Sequence, residues 1–388
     1  MNNIRFVRGM GEAAMLTAAM VLVMGSGCAA NGDTPSKTIE QSTVSSAKPT
    51  GNVEIKSGDL FVSADGKSSA AGTQANPTTL ENAITHLPAG NTIWVRGGTY
   101  KLAQTITIAT GNNGTSTTPK RLFAYNEEVP IFDFSAQAVA NSNRGLTLNG
   151  NFWRFKGLIV EHAGDNGIYV GGSDNIIELC ETLFNADTGL QLGRSAPTLT
   201  DIAQWPSNNL ILNCTSHDNK DPGNENADGF ACKLTTGTGN IFRSCIAHHN
   251  IDDGWDLFAK KATGPIGPVL IENCIAHHNG TLSDGTTSGG GDKNGFKLGG
   301  SGIAVAHTIR DSKAYDNGKH GFTDNNNPGP ITVTNNTATH NGESNFKFRE
   351  GGTHIFTNNT SVEPNESDKT TGTLVGTSNV FWYKKKSK

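Results

Sequence analysis

Three aspartates lie within five residues in the segment from Ile251 to Phe258, and their spacing could place them around one cation. They are Asp252, Asp253 and Asp256. Carboxylates held this close repel each other unless a cation neutralises them. Calcium prefers carboxylate-rich sets of oxygen ligands, whereas zinc is bound mainly through histidine and cysteine, which this segment lacks. The segment therefore predicts part of a calcium site.

Two other segments align with this one on a glycine that is followed by an aromatic residue. Asp228 stands immediately before its glycine, as Asp253 does, and Lys297 stands two residues after its glycine, as Asp256 does. If the segments stack as successive coils, Asp228 lies one coil below Asp253, and Lys297 lies one coil above Asp256. Asp252 would add a fourth carboxylate at the end of the loop.

The alignment belongs to a repeat whose units are 24 to 38 residues long. In each unit a short apolar run precedes a small or polar residue, and an asparagine follows five positions later. The pairs are Cys180 with Asn185, Cys214 with Asn219, Cys245 with Asn250, Cys274 with Asn279, Ser312 with Asn317, and Asn336 with Asn341. A repeat of this length, with connections of variable length, is typical of a solenoid.

The residues after most of these glycines alternate between apolar and polar, as in Phe296, Lys297 and Leu298. Alternation with period two places the apolar residues inside a strand and the polar ones outside. We therefore predict an all-β fold, a right-handed parallel β-helix in which equivalent residues on adjacent coils lie about 4.8 Å apart. The asparagines should stack as an internal ladder. Four stacked cysteines are interpreted as free thiols that fill the core, although adjacent ones lie close enough in principle to bridge.

A short amphipathic helix is predicted before the repeat begins. The segment from Thr78 to Glu81 has a capping-box pattern, and apolar residues follow it at helical spacing until Pro88. Such a helix would cover the open end of the solenoid, which otherwise exposes apolar core and strand edges. The run from Thr92 to Val95 is predicted to be the first strand.

The N-terminal region predicts export and divides the chain into three parts. Residues 1–28 combine two arginines with an apolar run that is too short to span a bilayer, as in a secretory signal. Residues 29–57 are predicted to be a Ser/Thr-rich flexible tether, and residues 58–388 the β-helix domain. Cys28 follows small residues as in a bacterial lipoprotein, and simple cleavage near Ala30 is the alternative. The mature protein would be secreted or held at the cell surface as a lipoprotein.

Composition limits the partners that the protein is expected to have. Charged residues make up 17% of the chain, and the formal net charge is -4. This balance does not favour binding to nucleic acid. The only membrane contact that we expect is a lipid anchor at Cys28, and we expect the protein to be a monomer.

Three segments together resemble the pectate lyases of polysaccharide lyase family 9. They are Asn226–Ala231, Asp252–Phe258 and Asn294–Gly300, and the run Trp94–Tyr100 fits the same family. The resemblance covers residues 58 to 360. It implies that calcium is bound by Asp228, Asp252, Asp253 and Asp256, and that Lys297 is the catalytic base. The implied reaction is β-elimination in polygalacturonate, an acidic polysaccharide.

The chemistry of this reaction is consistent with these residue types. The proton on C5 of a uronate lies next to a carboxylate, and removing it adds negative charge, which a cation would stabilise. The base must be neutral to accept that proton, so we expect an alkaline pH optimum and loss of activity with a chelator. Lys233, Lys347 and Arg349 lie at outward positions and are candidates for binding further uronate carboxylates. They could equally be ordinary surface charges.

Other functions fit parts of the pattern. A β-helical polygalacturonase would use paired aspartates in hydrolysis, but the Gly-His-Gly and Arg-Ile-Lys segments of that class are absent. A lyase that acts on rhamnogalacturonan or alginate remains open, as does a non-catalytic carbohydrate-binding β-helix with structural calcium. The dipeptides His248-His249 and His277-His278 recur at one repeat position, so they are interpreted as stacked turn residues rather than as a metal site.

Overall fold

The computed structural model describes residues 54–383, and these form the predicted right-handed parallel β-helix. The predicted signal segment 1–28 lies outside the described residues, as does most of the predicted tether 29–57. All strand pairings are parallel, and strands of successive coils pair in order along three sheets. Among residues 54–383, no helix is long and apolar enough to span a bilayer.

Sheet I has twelve strands. These strands are β1 (Leu60–Val62), β2 (Thr92–Val95), β5 (Lys120–Ala124), β8 (Trp153–Lys156), β11 (Ile176–Glu178), β14 (Leu210–Leu212), β17 (Asn240–Arg243), β20 (Val269–Glu272), β23 (Thr308–Arg310), β26 (Thr332–Thr334), β29 (His354–Thr357) and β32 (Gly372–Val375).

Sheet II has ten strands and carries the candidate site. Its strands are β4 (Ile106–Ile108), β7 (Leu146–Leu148), β10 (Ile168–Val170), β13 (Leu190–Leu192), β16 (Phe230–Cys232), β19 (Trp255–Asp256), β22 (Phe296–Lys297), β25 (Phe322–Thr323), β28 (Phe346–Phe348) and β31 (Lys369–Thr370).

Sheet III also has ten strands. They are β3 (Gly98–Lys101), β6 (Pro130–Asp133), β9 (Ile159–Glu161), β12 (Glu181–Leu183), β15 (Thr215–His217), β18 (Ile246–His248), β21 (Ile275–His277), β24 (Lys313–Tyr315), β27 (Thr337–Thr339) and β30 (Thr360–Val362).

The N-terminal end differs from the prediction in two details. The first strand is β1 rather than β2, because the short run Leu60–Val62 has no repeat around it that would identify it as a strand. The helix α1 (Leu80–His86) exists as predicted, but its N-cap is Thr79, which is extended and accepts a hydrogen bond from the backbone N–H of Asn82. The capping box from Thr78 therefore does not form. A short 3₁₀ helix, Ile202–Gln204, lies in a connection.

An internal ladder of asparagines holds the coils in register. The amide of each repeat asparagine donates to the side-chain oxygen of the next one, over 2.8 to 3.0 Å. These residues are Asn185, Asn219, Asn250, Asn279, Asn317 and Asn341. The amide of Asn341 donates to the side chain of Asn345 in the same coil, over 2.7 Å. The predicted ladder is thus confirmed. The four stacked cysteines, from Cys180 to Cys274, are buried free thiols in the structure.

An aromatic column fills the core beneath the candidate site. It consists of the residue that follows the glycine in four successive coils, Phe230, Trp255, Phe296 and Phe322, and of Phe346, which follows Asn345 in the next coil. Neighbouring rings stack with centroids 4.7 to 5.0 Å apart. Since this residue points inward, the next residue of each strand must point outward, as the alternation predicted.

Candidate active site

The strand register places the predicted residues on the outside of sheet II. Asp256 pairs with Lys297 on the next coil, and Ala231 occupies the same position one coil earlier. The turn before each strand is narrow, because a Cβ on Gly254 would lie only 2.6 Å from the backbone oxygen of Gly295. Glycine is therefore required there, and the aspartate before it is fixed at the edge of the sheet.

Three of the four predicted carboxylates converge on one point. Asp228, Asp253 and Asp256 each offer an oxygen, and these oxygens all lie within 4.8 Å of one another. The three side chains are buried, with residue exposures of 0%, 0% and 4%. We call this group the carboxylate cluster.

Two lysines lie against the carboxylate cluster. The Nζ of Lys297 is 3.1 Å from an oxygen of Asp253 and 3.7 Å from one of Asp256. The Nζ of Lys233 is 2.6 Å from Asp228 and 3.2 Å from Asp256. Lys233 therefore belongs to the same site as the predicted base, rather than to a separate part of the surface.

Asp253 is the carboxylate with the most defined environment. Its Oδ1 accepts hydrogen bonds from the backbone N–H and the side-chain amide of Asn294, at 2.7 and 2.9 Å. Its Oδ2 is buried and accepts no hydrogen bond, although the ammonium of Lys297 lies nearby. A buried carboxylate oxygen without a hydrogen-bond donor is costly, and a cation can satisfy it.

Asp252 is not part of the carboxylate cluster. It is buried, and its Oδ1 accepts hydrogen bonds from the backbone N–H groups of Asp292 and Lys293 in the loop before β22. The same loop brings the Asp292 carboxylate to 2.8 Å from the Nζ of Lys297. Asp252 therefore lies at the junction between the site and this loop.

The electrostatic environment of the site favours neutralisation by a cation. Burial raises the pKa of Asp228 to about 6 and that of Asp253 to about 7, against the opposing effects of Lys233 and Lys297 respectively. Burial, reinforced by Asp253, also raises the pKa of Asp252. Burial alone would lower the pKa of Lys297, but the surrounding aspartates outweigh it and raise that pKa. Ionising these buried carboxylates together is costly, and a bound cation would offset that cost. Because the ligand atoms are all oxygens, the site suits a hard divalent cation.

The other predicted cations lie further along sheet II. Lys347 occupies the outward position of β28, two coils beyond Lys297 and in register with Thr323 between them. Arg349 lies just after β28, where its guanidinium pairs with Asp324. Both are only partly exposed.

Two residues of the site were not identified from the sequence. Asn294 stands directly before its glycine, in the register of Asp228 and Asp253, so the repeat alignment could have identified it. Asp292 has no such signal, because it lies in a loop outside the repeat. Its position next to Lys297 follows from the path of that loop.

The fold and the site together define a class of protein: a right-handed parallel β-helix with a lysine and a carboxylate cluster on the outside of one sheet. The family described as "Pel9A-like, right handed beta helix region" matches residues 60–360. The chain belongs to this family, and thus to the pectate lyases of polysaccharide lyase family 9.

Individual relatives agree with this assignment. The chain is 52% identical to a protein named pectate lyase L from Paenibacillus polymyxa (strain SC2), over 91% of this chain and 79% of the relative. The crystal structure of pectate lyase Pel9A superimposes with a TM-score of 0.73 at 33% identity, over 84% of this chain and 80% of that one. A structure named rhamnogalacturonan lyase gives a TM-score of 0.67 at 27% identity, over 82% and 84% of the two chains.

Proposed function

We propose that this protein is a calcium-dependent pectate lyase that cleaves polygalacturonate by β-elimination, with Lys297 as the base. The observation that supports this most strongly is the approach of the Lys297 ammonium to the carboxylate cluster, at 3.1 Å from Asp253. The relatives that carry the name pectate lyase support the substrate. The calcium ligands would be Asp228, Asp253 and Asp256, and Asp252 would contribute from the adjoining turn.

The proposed reaction needs one base and one source of positive charge. Lys297, as the neutral amine, takes the proton from C5 of a galacturonate; the C5–H electron pair forms the C4–C5 double bond, and the C4–O bond breaks. The leaving oxygen takes up a proton, and the products are a shorter chain and a chain with a 4,5-unsaturated end. Calcium, when bound, supplies positive charge beside the uronate carboxylate, where negative charge builds up.

The protonation state of Lys297 controls this reaction. The aspartates around it raise its pKa and keep it charged, so it is a poor base while they are not otherwise neutralised. A group with a raised pKa loses its proton only as the pH rises. We therefore propose an alkaline optimum, which matches the expectation from the residue types alone.

The remaining outward cations are proposed to hold further uronate carboxylates. Lys347 lies in the same outward column as Lys297, and Lys369 is paired with Lys347 on the next coil. Successive coils are one strand spacing apart, so these ammonium groups form a line along the sheet. Arg349 would act beside this line, and Lys233 at the carboxylate cluster itself.

The first prediction tests this function directly. The protein should generate ultraviolet absorbance from the 4,5-unsaturated product on polygalacturonate with calcium, and lose it with a chelator. Lys297→Ala should reduce the rate by about 10²- to 10⁴-fold, the usual effect of removing a general base. Lys156→Ala, on the outside of sheet I, is the control and should retain the wild-type rate. Near-normal activity of Lys297→Ala would show that another residue is the base.

A second candidate substrate is rhamnogalacturonan, because a structure with that name superimposes over 82% of this chain. Absorbance on rhamnogalacturonan without absorbance on polygalacturonate would favour this substrate; the same assay on alginate covers that polymer. Absence of product from every polyuronate would favour a carbohydrate-binding protein. We also propose that the protein is exported as a monomer, either secreted or anchored through Cys28.

A further inference from the structure

The outside of sheet II differs on the two sides of the carboxylate cluster. On the C-terminal side, the outward column holds Lys347 and Lys369. On the N-terminal side, the three positions before Asp256 in the same column carry no charge at neutral pH. Going away from the cluster, they are Ala231, Gln191 and Tyr169. A cation that contacts the substrate on this side must therefore come from outside the column.

Arg144 supplies such a cation. Its guanidinium lies over the ring of Tyr169, with the central carbon 3.4 Å from the ring centroid. Arg144 belongs to the turn before β7, where it has the register that Asp228 has before β16. Tyr169 lies three coils before Asp256, which is about 14 Å at a strand spacing of about 4.8 Å. The stacked guanidinium is therefore placed on the outside of sheet II, well away from the carboxylate cluster.

Two further contacts hold this arginine in place. The Nε of Arg144 is 3.4 Å from the carboxylate of Asp165, and the hydroxyl of Tyr169 donates to the backbone oxygen of Arg194 on the next coil, at 3.1 Å. Tyr169 is buried, whereas 29% of the Arg144 side chain is exposed. An arginine held in this way has already lost rotamer freedom, so binding a ligand costs it less entropy. Its contact with Asp165 uses Nε and leaves the terminal nitrogens for a ligand.

The carboxylates near Arg144 are offset by cations. Asp165 is paired with Arg144 itself, Lys233 acts on Asp187, and Arg194 adds a further positive charge beside Tyr169. An arriving carboxylate therefore meets no large excess of negative charge at this position.

We propose that Arg144 binds a carboxylate of the substrate chain at a subsite above Tyr169, three coils before Asp256. This inference rests on the proposed function, because the ligand is the same acidic polysaccharide. Guanidinium groups bind carboxylates through two parallel hydrogen bonds, which give both affinity and orientation. The substrate then lies along the outside of sheet II, from Arg144 across the carboxylate cluster to Lys347.

The position of this subsite has a consequence for substrate length. Three coils are longer than one sugar ring, so only a chain of several galacturonates reaches Arg144 from the carboxylate cluster. A contact this far from the broken bond holds the ground state and the transition state equally, and its loss raises KM without lowering kcat. An arginine that only stabilised the fold would not distinguish long chains from short ones.

The second prediction is that Arg144→Ala raises the KM for polygalacturonate about tenfold, as expected for the loss of a charge-assisted hydrogen-bonded contact. The kcat should stay at the wild-type value, and both constants should be unchanged on the shortest oligogalacturonate that the protein cleaves. Ultraviolet absorbance of the unsaturated product measures both. Arg243→Ala is the matched control, because Arg243 also pairs with a buried carboxylate, that of Glu272, but on the outside of sheet I.

Binding without cleavage gives a second readout. In a Lys297→Ala background with calcium, Arg144→Ala should reduce the retardation of the protein in gels that contain polygalacturonate. In gels that contain a highly methyl-esterified polymer, whose carboxylates are blocked, the proteins with and without Arg144→Ala should migrate alike. Identical circular dichroism spectra would establish that both are folded.

The possible results separate this subsite from the proposed function. A wild-type KM of Arg144→Ala on polygalacturonate would overturn the subsite and leave the proposed function intact. An equal rise in KM on long and short substrates would also overturn it, since Arg144 would then act on the carboxylate cluster rather than at a distance from it. A wild-type protein that neither cleaves nor binds polygalacturonate would overturn both.

Discussion

At the scale of single residues, ion pairs in this protein join side chains on neighbouring coils. Lys297 reaches Asp253 on the preceding coil and Asp292 in the loop before its own strand. On the outside of sheet III, His217 similarly lies between Glu181 of the preceding coil, at 2.9 Å, and Asp218, at 2.8 Å. The contacts of Lys297 with Asp253 and of His217 with Glu181 therefore depend on correct stacking of the coils.

The third prediction concerns His217. Burial alone would lower its pKa, but Asp218 and Glu181 outweigh it and raise the pKa to about 9, above its unfolded value of 6.5. Its contribution to the free energy of unfolding is therefore complete below pH 6.5 and is lost as the pH rises through about 9. His217→Gln should lower the free energy of unfolding by about 2 kcal/mol at pH 6, and by less at pH 9.5.

Denaturant unfolding of both proteins at the two pH values measures this difference. His340→Gln, at an exposed position, is the control for the loss of a histidine as such. A difference between wild type and His217→Gln that is equal at pH 6 and pH 9.5 would contradict the assigned ionic contacts.

At the scale of secondary-structure elements, strands of two to five residues cannot be stable individually, and the ladders between coils hold them together. The asparagine ladder lies at the turn that follows sheet III, where backbone groups would otherwise be buried without partners. The side-chain amide of Asn250, for example, donates one hydrogen bond to the neighbouring asparagine and one to a backbone oxygen. This is why the ladder residue repeats while the connections vary.

The fourth prediction is that Asn250→Ala destabilises the protein by about 2 to 4 kcal/mol. Asn250 accepts from the side chain of Asn219 and donates to that of Asn279 and to the backbone oxygen of Ser216. Its removal leaves buried groups unsatisfied, each at a cost of about 1–3 kcal/mol. Thermal and urea unfolding measure the loss. The exposed Asn365→Ala should change stability by less than about 0.5 kcal/mol, and a similar loss in both variants would contradict a special role for the ladder.

At the scale of the whole molecule, a cation in the carboxylate cluster would link two successive coils, with Lys297 of the next coil beside it. Asp228 precedes β16, Asp253 precedes β19, and Asp256 lies within β19, while Lys297 lies in β22. A ligand that binds the folded chain but not the unfolded chain stabilises it by mass action. Calcium should therefore affect stability as well as activity.

The fifth prediction is that calcium at 100 times its dissociation constant raises the free energy of unfolding by about 2.7 kcal/mol, measurable as a higher melting temperature than in chelator. Asp253→Asn should abolish most of this increase. Asp174→Asn is the control: the residue lies outside the site, and its left-handed backbone accepts asparagine. A calcium-induced shift in Asp253→Asn as large as in the wild type would remove Asp253 from the ligand set.

Much of this protein could be predicted from its sequence, because a solenoid converts repetition along the chain into contact in space. The register that relates Asp228 to Asp253 and Asp256 to Lys297 follows from the glycine alignment and the strand spacing. The asparagine ladder and the inward aromatic column follow from the same period. Strand β1 and the N-cap at Thr79 could not be predicted in this way, because neither belongs to the repeat.

Two kinds of feature were decided only by the tertiary structure. They are the paths of loops that interrupt the repeat and the conformations of side chains that have several possible partners. The loop before β22 places Asp292 beside Lys297 and binds Asp252 through its backbone, so that Asp252 lies apart from the carboxylate cluster. The contacts between the ring nitrogens of His248 and His249, and between those of His277 and His278, likewise depend on ring orientations. The sequence determined the coils and which residues face each other across them, because strand spacing and alternation are fixed by backbone hydrogen bonding. Loop paths and rotamers depend on packing between distant residues, which no local pattern encodes.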